Sequence, residues 1–193
     1  MKHNSVKNTL YHPERIILGL DPGTNIMGYG IICIEGKKLS MTELGIMNMS
    51  KLEEHQQKLK MIFEQTLALI EKFKPDEIAI EAPFFGKNIQ SMLKLGRAQG
   101  VAFAAGLYRN IPVIEYSPRK IKQSITGNGN ASKEQVAGMI CNLLSLKEKP
   151  KYLDSTDALA VAICHYFQKG NLKAAKSYSG WSSFVKANPG RKK

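Results

Sequence analysis

Aspartate is scarce in this chain: four in 193 residues, at Asp21, Asp76, Asp154 and Asp157. Acids of both kinds number 16 against 28 Lys and Arg, for a net charge of +12. So basic a chain points to a polyanion, either nucleic acid or an anionic membrane surface. Cysteine is also sparse. Cys33, Cys141 and Cys164 lie far apart in apolar contexts, which excludes a disulfide framework or a zinc site and leaves buried thiols. The four histidines show no ligand spacing, and His165, after an apolar run, is expected at a helix end. Long apolar runs are missing. The longest charge-free stretch, residues 22–34, is 13 residues, short of the ~20 a membrane helix needs. Residues 1–15 lack the apolar segment of a signal peptide, so a cytoplasmic protein with no membrane span is expected. No internal repeat is visible.

What is present begins with Ile16-Ile17-Leu18-Gly19-Leu20-Asp21-Pro22-Gly23. The apolar run suits a strand buried on both faces, and Pro and Gly stop it. Asp21 then stands at the carboxyl edge of a central strand, where open α/β sheets place ligands. A solvated turn aspartate is the plain alternative. Strands over residues 28–34 and 39–47 flank a Glu35-Gly36-Lys37-Lys38 hairpin turn. Ser50-Lys51-Leu52-Glu53 fits a capping box opening a helix that Pro75 ends. A strand over 76–82 follows and carries Glu81 near its end. A loop with two aromatics and a base (Phe84, Phe85, Lys87) leads to a helix over 89–109. That helix is rich in Gly and Ala, which implies close backbone packing in the core or against another subunit. A strand over 111–116 precedes a short basic helix with Arg119, Lys120 and Lys122. Ser132-Lys133-Glu134-Gln135 is a second capping box, for a helix to about 146. Asp154-Ser155-Thr156-Asp157 opens the last core helix. Residues 1–14 read as a flexible arm, 15–169 as one domain, and 170–193 as a basic, disordered tail. The fold class is α/β: a mixed five-stranded sheet with helices on both faces.

Asp21 and Glu81 end two strands, and Asp154 and Asp157 share a helix face three residues apart. Helix capping accounts for the latter pair separately, and a strand-end surface acid accounts for Glu81. Together, at one rim of a basic protein, the four carboxylates repel unless cations bridge them. Hard divalent ions take oxygen ligands, and a pair of them can clamp a phosphodiester.

Four ordered blocks spanning about residues 15–168 resemble the RuvC family of Holliday-junction resolvases. They are Ile17-Leu18-Gly19-Leu20-Asp21-Pro22-Gly23-Thr24 with Gly28-Tyr29-Gly30, and Ile80-Glu81-Ala82-Pro83-Phe84 with Leu93-Lys94-Leu95-Gly96-Arg97-Ala98-Gln99-Gly100. Gly127-x-Gly129-x-Ala131-x-Lys133-x-Gln135-Val136 and Asp154-x-x-Asp157-Ala158-Leu159-Ala160 complete them. The resemblance implies an RNase H-like fold, a homodimer, and paired symmetric cleavage of four-way junction DNA in recombination and repair. It implies two Mg²⁺ per site, with Mn²⁺ able to substitute, and a branch-migration helicase complex as partner. It places catalysis and metal binding on Asp21, Glu81, Asp154 and Asp157. It makes Lys122 and Lys133 DNA contacts and Phe84 a base-stacking residue. Phe85, Lys87 and Arg119 join them as DNA-binding candidates, and Phe85 leaves open which ring stacks.

Three rivals stand beside this. A chain of 193 residues is too short for the two halves of an actin- or sugar-kinase-like ATP-binding protein. A non-catalytic nucleic-acid-binding module would be expected to lack one of the carboxylates. A related RNA-directed nuclease is disfavoured by the length of the match.

Overall fold

A computed structural model describes residues 15–83, 88–146 and 153–172. The elements in chain order are β1 (Arg15–Asp21), β2 (Ile26–Glu35), β3 (Lys38–Asn48), α1 (His55–Phe73), β4 (Glu77–Glu81) and α2 (Ile89–Tyr108). Then come β5 (Val113–Tyr116), α3 (Pro118–Thr126), α4 (Lys133–Leu143) and α5 (Leu153–Leu172). The arm over 1–14 and the tail beyond 172 lie outside the described residues, as do Phe84, Phe85 and Lys87.

The five strands form one sheet in the order β3-β2-β1-β4-β5. β1, β2 and β3 pair antiparallel, through a hairpin whose Gly36 takes φ +60. That left-handed conformation is one glycine adopts at little cost. β4 and β5 join in parallel after helical crossovers. β1 is apolar on both sides because both faces are covered. Leu18 and Leu20 meet Ile62, Ile70, Ala98 and Ala102 of α1 and α2. Ile17 meets Ile121 of α3, Ile140 of α4 and the run from Leu159 to Cys164 of α5. This is the mixed sheet with helices on both faces expected for an RNase H-like fold. Among the described residues no helix is long and apolar enough to cross a membrane.

The expected helix start at Ser50 is not used. Met49 is fully buried, and its N–H donates to the Asn25 carbonyl at 2.7 Å. That anchor holds the chain down beside the sheet, and the Ser50 hydroxyl donates to Asn48 Oδ1 at 2.6 Å instead. α1 starts five residues later with no side-chain cap on Glu54. The Ser132–Gln135 capping box forms as read, though its helix ends at Leu143, with Ser145 beyond it at φ 51. α3 has Ser117 as its cap and Pro118 at its first position, and Gly127 closes it in the left-handed region.

One further expectation is revised. His165 is not at a helix end: it is buried inside α5. Of the three glycines of α2, Gly106 packs against Val113 and Ile78, whereas Gly96 and Gly100 face open space. Their face of α2 also leaves Ile89, Leu93 and Leu107 exposed. Cys33 and Cys164 are buried and Cys141 is half-buried, and none of the three forms a disulfide.

Candidate active site

β1 and β4 run in parallel with Ile17 beside Glu77 and Leu20 beside Ile80. The next position in that register sets Asp21 level with Glu81 at the carboxyl edge. Alternation puts Ile17, Gly19 and Asp21 on the side facing α5. α5 lies almost directly on the sheet there. A side chain at Gly19 would strike the Ala158 carbonyl, one at Gly28 the Asp154 carbonyl, and one at Gly30 the Leu159 side chain. Gly19 and Gly30 are cross-strand partners, and Gly28 is partner to Asp21. These glycines are a bare floor that lets the helix bring its first turn to the strand ends.

The result is a tight cluster. One carboxylate oxygen from each of Asp21, Asp154 and Asp157 lies within 4.8 Å of the other two. Glu81 stands just outside this group and lines the same pocket with Asp21, Asp157, Lys122 and Lys133. That pocket has about 80 Å³ of room, several times the ~10–15 Å³ a single water needs. Burial raises Asp21 to about 8, with the charges of Glu81, Asp157 and Asp154 adding to it and Lys133 opposing. Burial likewise raises Glu81 to about 7, with Asp157 adding and Lys133 and Lys122 opposing. Lys133 Nζ donates to Asp157 Oδ2 at 2.6 Å. Burial works against its charge, but that hydrogen bond and the surrounding acids keep its pKa above the ordinary value.

The four carboxylates and the two lysines read from the sequence therefore meet at one rim. Arg119 does not join them: it is exposed, with its stem against Gly129 in the loop after α3. Phe84, Phe85 and Lys87 lie outside the described residues, between Glu81 and the Asn88 cap of α2. Sequence reasoning passed over Gln99, whose amide donates to the Glu81 carbonyl at 3.3 Å and to Glu115 Oε1 at 2.7 Å. It ties α2 to the strand end that carries Glu81. It also passed over the glycine floor, whose one visible sign was Gly at alternate positions, 28 and 30, of a single strand.

An all-oxygen donor set is what hard divalent cations prefer. The elevated Asp21 and Glu81 show that the cluster holds its negative charge poorly without one. A mixed sheet with such a rim, flanked by lysines in a basic chain, defines a metal-dependent nuclease. The family model described as "Crossover junction endodeoxyribonuclease RuvC" matches residues 17–165. The proteins of that name from Christiangramia forsetii and Bacteroides fragilis are 59% and 55% identical to this chain. They cover 98% and 93% of it, and 98% and 97% of their own lengths are matched. The solved structure of Thermus thermophilus RuvC in complex with Holliday junction substrate aligns with TM-score 0.76 at 31% identity, over 84% of this chain and 98% of that one. The yeast mitochondrial Holliday junction resolvase Ydc2, 15% identical with TM-score 0.61, shares the fold. The chain belongs to the RuvC family.

Proposed function

We propose that this chain resolves Holliday junctions in DNA recombination and repair, by paired symmetric cuts, with Asp21, Glu81, Asp154 and Asp157 as the catalytic and metal-holding residues. The observation that carries the reading is the Asp21–Asp154–Asp157 cluster with Lys133 bonded to Asp157. The four carboxylates would hold two Mg²⁺ ions, or Mn²⁺ in their place, which would supply Lewis-acid activation of water and charge stabilisation at the leaving oxygen. The chain's own groups do the rest. Lys122 and Lys133 draw a phosphate toward a pocket whose acids would otherwise repel it. Lys133 also offsets part of the charge of Asp157. Arg119 takes a phosphate outside the pocket. Phe84 or Phe85 stacks on a base beside the cut, at about 1–3 kcal/mol per base, with Lys87 on the adjoining phosphate.

A four-way junction has two strands to cut, which calls for two sites related by a two-fold axis. The exposed Ile89, Leu93 and Leu107 face of α2, with open space over Gly96 and Gly100, supports a homodimer formed through that helix. A branch-migration helicase complex is the proposed partner, and the cytoplasm the proposed location. The test is incubation with a synthetic four-way DNA junction, its RNA counterpart and a linear duplex, with Mg²⁺ or EDTA. Metal-dependent paired nicks in the DNA junction alone are expected. Cleavage of the RNA alone, or an uncut DNA junction in the presence of Mg²⁺, would overturn the reading.

A further inference from the structure

Beneath the site runs a chain of polar groups that touches none of the carboxylates in it. The Arg15 guanidinium, at the start of β1, donates through Nε to Glu77 Oε2 at 3.0 Å. His165 of α5 brings Nε2 to the same oxygen at 3.0 Å. Its Nδ1 lies 2.7 Å from the Tyr116 hydroxyl at the end of β5. Glu77 and His165 are 7% and 1% exposed. The Glu77 contact on its own would favour an imidazolium. Burial and the nearby Arg15 outweigh it and lower His165 to about 4, and Arg15 already balances the carboxylate. Burial pushes the Tyr116 phenol up to about 12. At neutral pH one proton arrangement then satisfies every group. Tyr116 O–H donates to Nδ1, Nε2–H donates to Glu77, and the guanidinium donates to the same carboxylate.

Buried polar groups must be paired wherever they occur, so pairing alone implies only stability. The membership of this chain implies more. It joins β1, β4, β5 and α5, and three of these carry the whole carboxylate set. Arg15 shares a strand face with Asp21, and Glu77 shares one with Glu81. Tyr116 pairs with Glu81 in the sheet, and its carbonyl accepts from the Ala82 N–H at 2.9 Å. Eleven residues separate Asp154 from His165, about three turns at 3.6 residues each, so both lie on nearly the same stripe of α5. Apolar contact is non-directional, and Gly19, Gly28 and Gly30 supply no side-chain ridges under the first turns of α5. Hydrogen bonds are directional. His165 is a buried point at which directional hydrogen bonds tie α5 to two strands of the sheet.

We propose that His165, held between Glu77 and Tyr116, is a positioning residue that sets the register of α5 on the sheet and so the spacing of Asp154 and Asp157 from Asp21 and Glu81. The proposal rests on the four carboxylates being the metal site.

Three variants test it: Tyr116→Phe, His165→Gln and His165→Leu. Tyr116→Phe keeps the ring and loses one hydrogen bond, Gln keeps a donor toward Glu77, and Leu keeps neither bond. Each is measured for Mn²⁺ binding without DNA by electron paramagnetic resonance, and for the Mg²⁺ concentration giving half-maximal cleavage. Junction binding in EDTA and denaturant stability are measured on the same preparations. Tyr116→Phe should weaken Mn²⁺ binding and raise the half-maximal Mg²⁺ by up to about tenfold, the low end of what groups bonded directly to metal ligands contribute, since it acts one step further out. Junction binding in EDTA should be unchanged, and Gln should recover part of the loss seen with Leu. Wild-type metal dependence in Tyr116→Phe and His165→Gln, with only stability reduced, would overturn the proposal and leave the site assignment intact. If the wild-type protein itself bound no Mn²⁺, the site assignment would fail, and the proposal with it.

Discussion

Replacing Asp21 by Asn removes a charge from the most crowded position of the site while keeping its shape. The native protein holds this carboxyl at about 8 instead of the ordinary 3.8. Between those values the folded state binds a proton that the unfolded state has released. The slope contributed by this group is therefore negative: without metal, its contribution to stability is fullest below about pH 4 and falls as pH rises toward 8. A single such group gives up to 1.36 kcal/mol per pH unit. Between pH 5 and pH 8 that amounts to about 4 kcal/mol. Asp21 is half-buried, and water entering the pocket screens its charge, so about 2 kcal/mol is expected to be measured. The assay is urea denaturation in EDTA at pH 5 and pH 8 for wild type and Asp21→Asn. Both proteins should lose stability between the two, because Glu81 is raised to about 7 in each, but wild type should lose about 2 kcal/mol more, and at pH 8 the variant should be the more stable protein. Saturating Mg²⁺ should reverse that order, because only wild type gains by binding it. Equal pH slopes, or a variant less stable than wild type at pH 8 in EDTA, would refute the argument.

Asp154→Asn and Asp157→Asn should each cut junctions orders of magnitude more slowly while binding them in EDTA at least as well as wild type, by cleavage and gel shift on one preparation. Wild-type cleavage in both would mean that they serve only the helix end, since Asn caps a helix about as well as Asp. Gly28→Ala puts a methyl against the Asp154 carbonyl. A loss of about 1–3 kcal/mol in thermal melts is expected, with cleavage falling further than the folded fraction. Lys133→Ala should lower the slope of log affinity against log salt by roughly 0.9, one phosphate's worth, and an unchanged slope would remove Lys133 from the DNA face. Leu93→Arg should shift a dimer toward monomer in light scattering without lowering the melting temperature, since Leu93 is exposed on the single chain. Ala102, fully buried under the sheet, would not serve for that test.

The features legible in sequence were those whose causes are local. The Pro22-Gly23 break after an apolar run located Asp21, and the Ser132–Gln135 box located Lys133. The i, i+3 spacing of Asp154 and Asp157 put them on one face. Where a distant group decides, the reading failed. Ser50 and Glu53 form a valid capping pattern, but the burial of Met49 beside Asn25 overrides it. His165 resembles a helix-end residue until Glu77, 88 positions away, is seen to hold it. Gly28 is one strand glycine among several until α5 is laid across it. The carboxylate cluster was readable because each member announces itself at an element's end, and the support beneath it was not.

The glycine floor has a consequence for synthesis. α5 is the last of the described elements to be made, and it brings both Asp154 and Asp157 as well as the apolar run from Ala158 to Cys164. Its partners at Gly19, Gly28 and Gly30 were made more than a hundred residues earlier. Contacts across so much chain form late. A nascent chain that has completed α4 but not α5 therefore lacks the helix that lies closest on one sheet face and has only two of its four carboxylates. If the four carboxylates are the catalytic set proposed above, the step that adds this helix also completes the site, and a partly made chain is expected not to cut DNA.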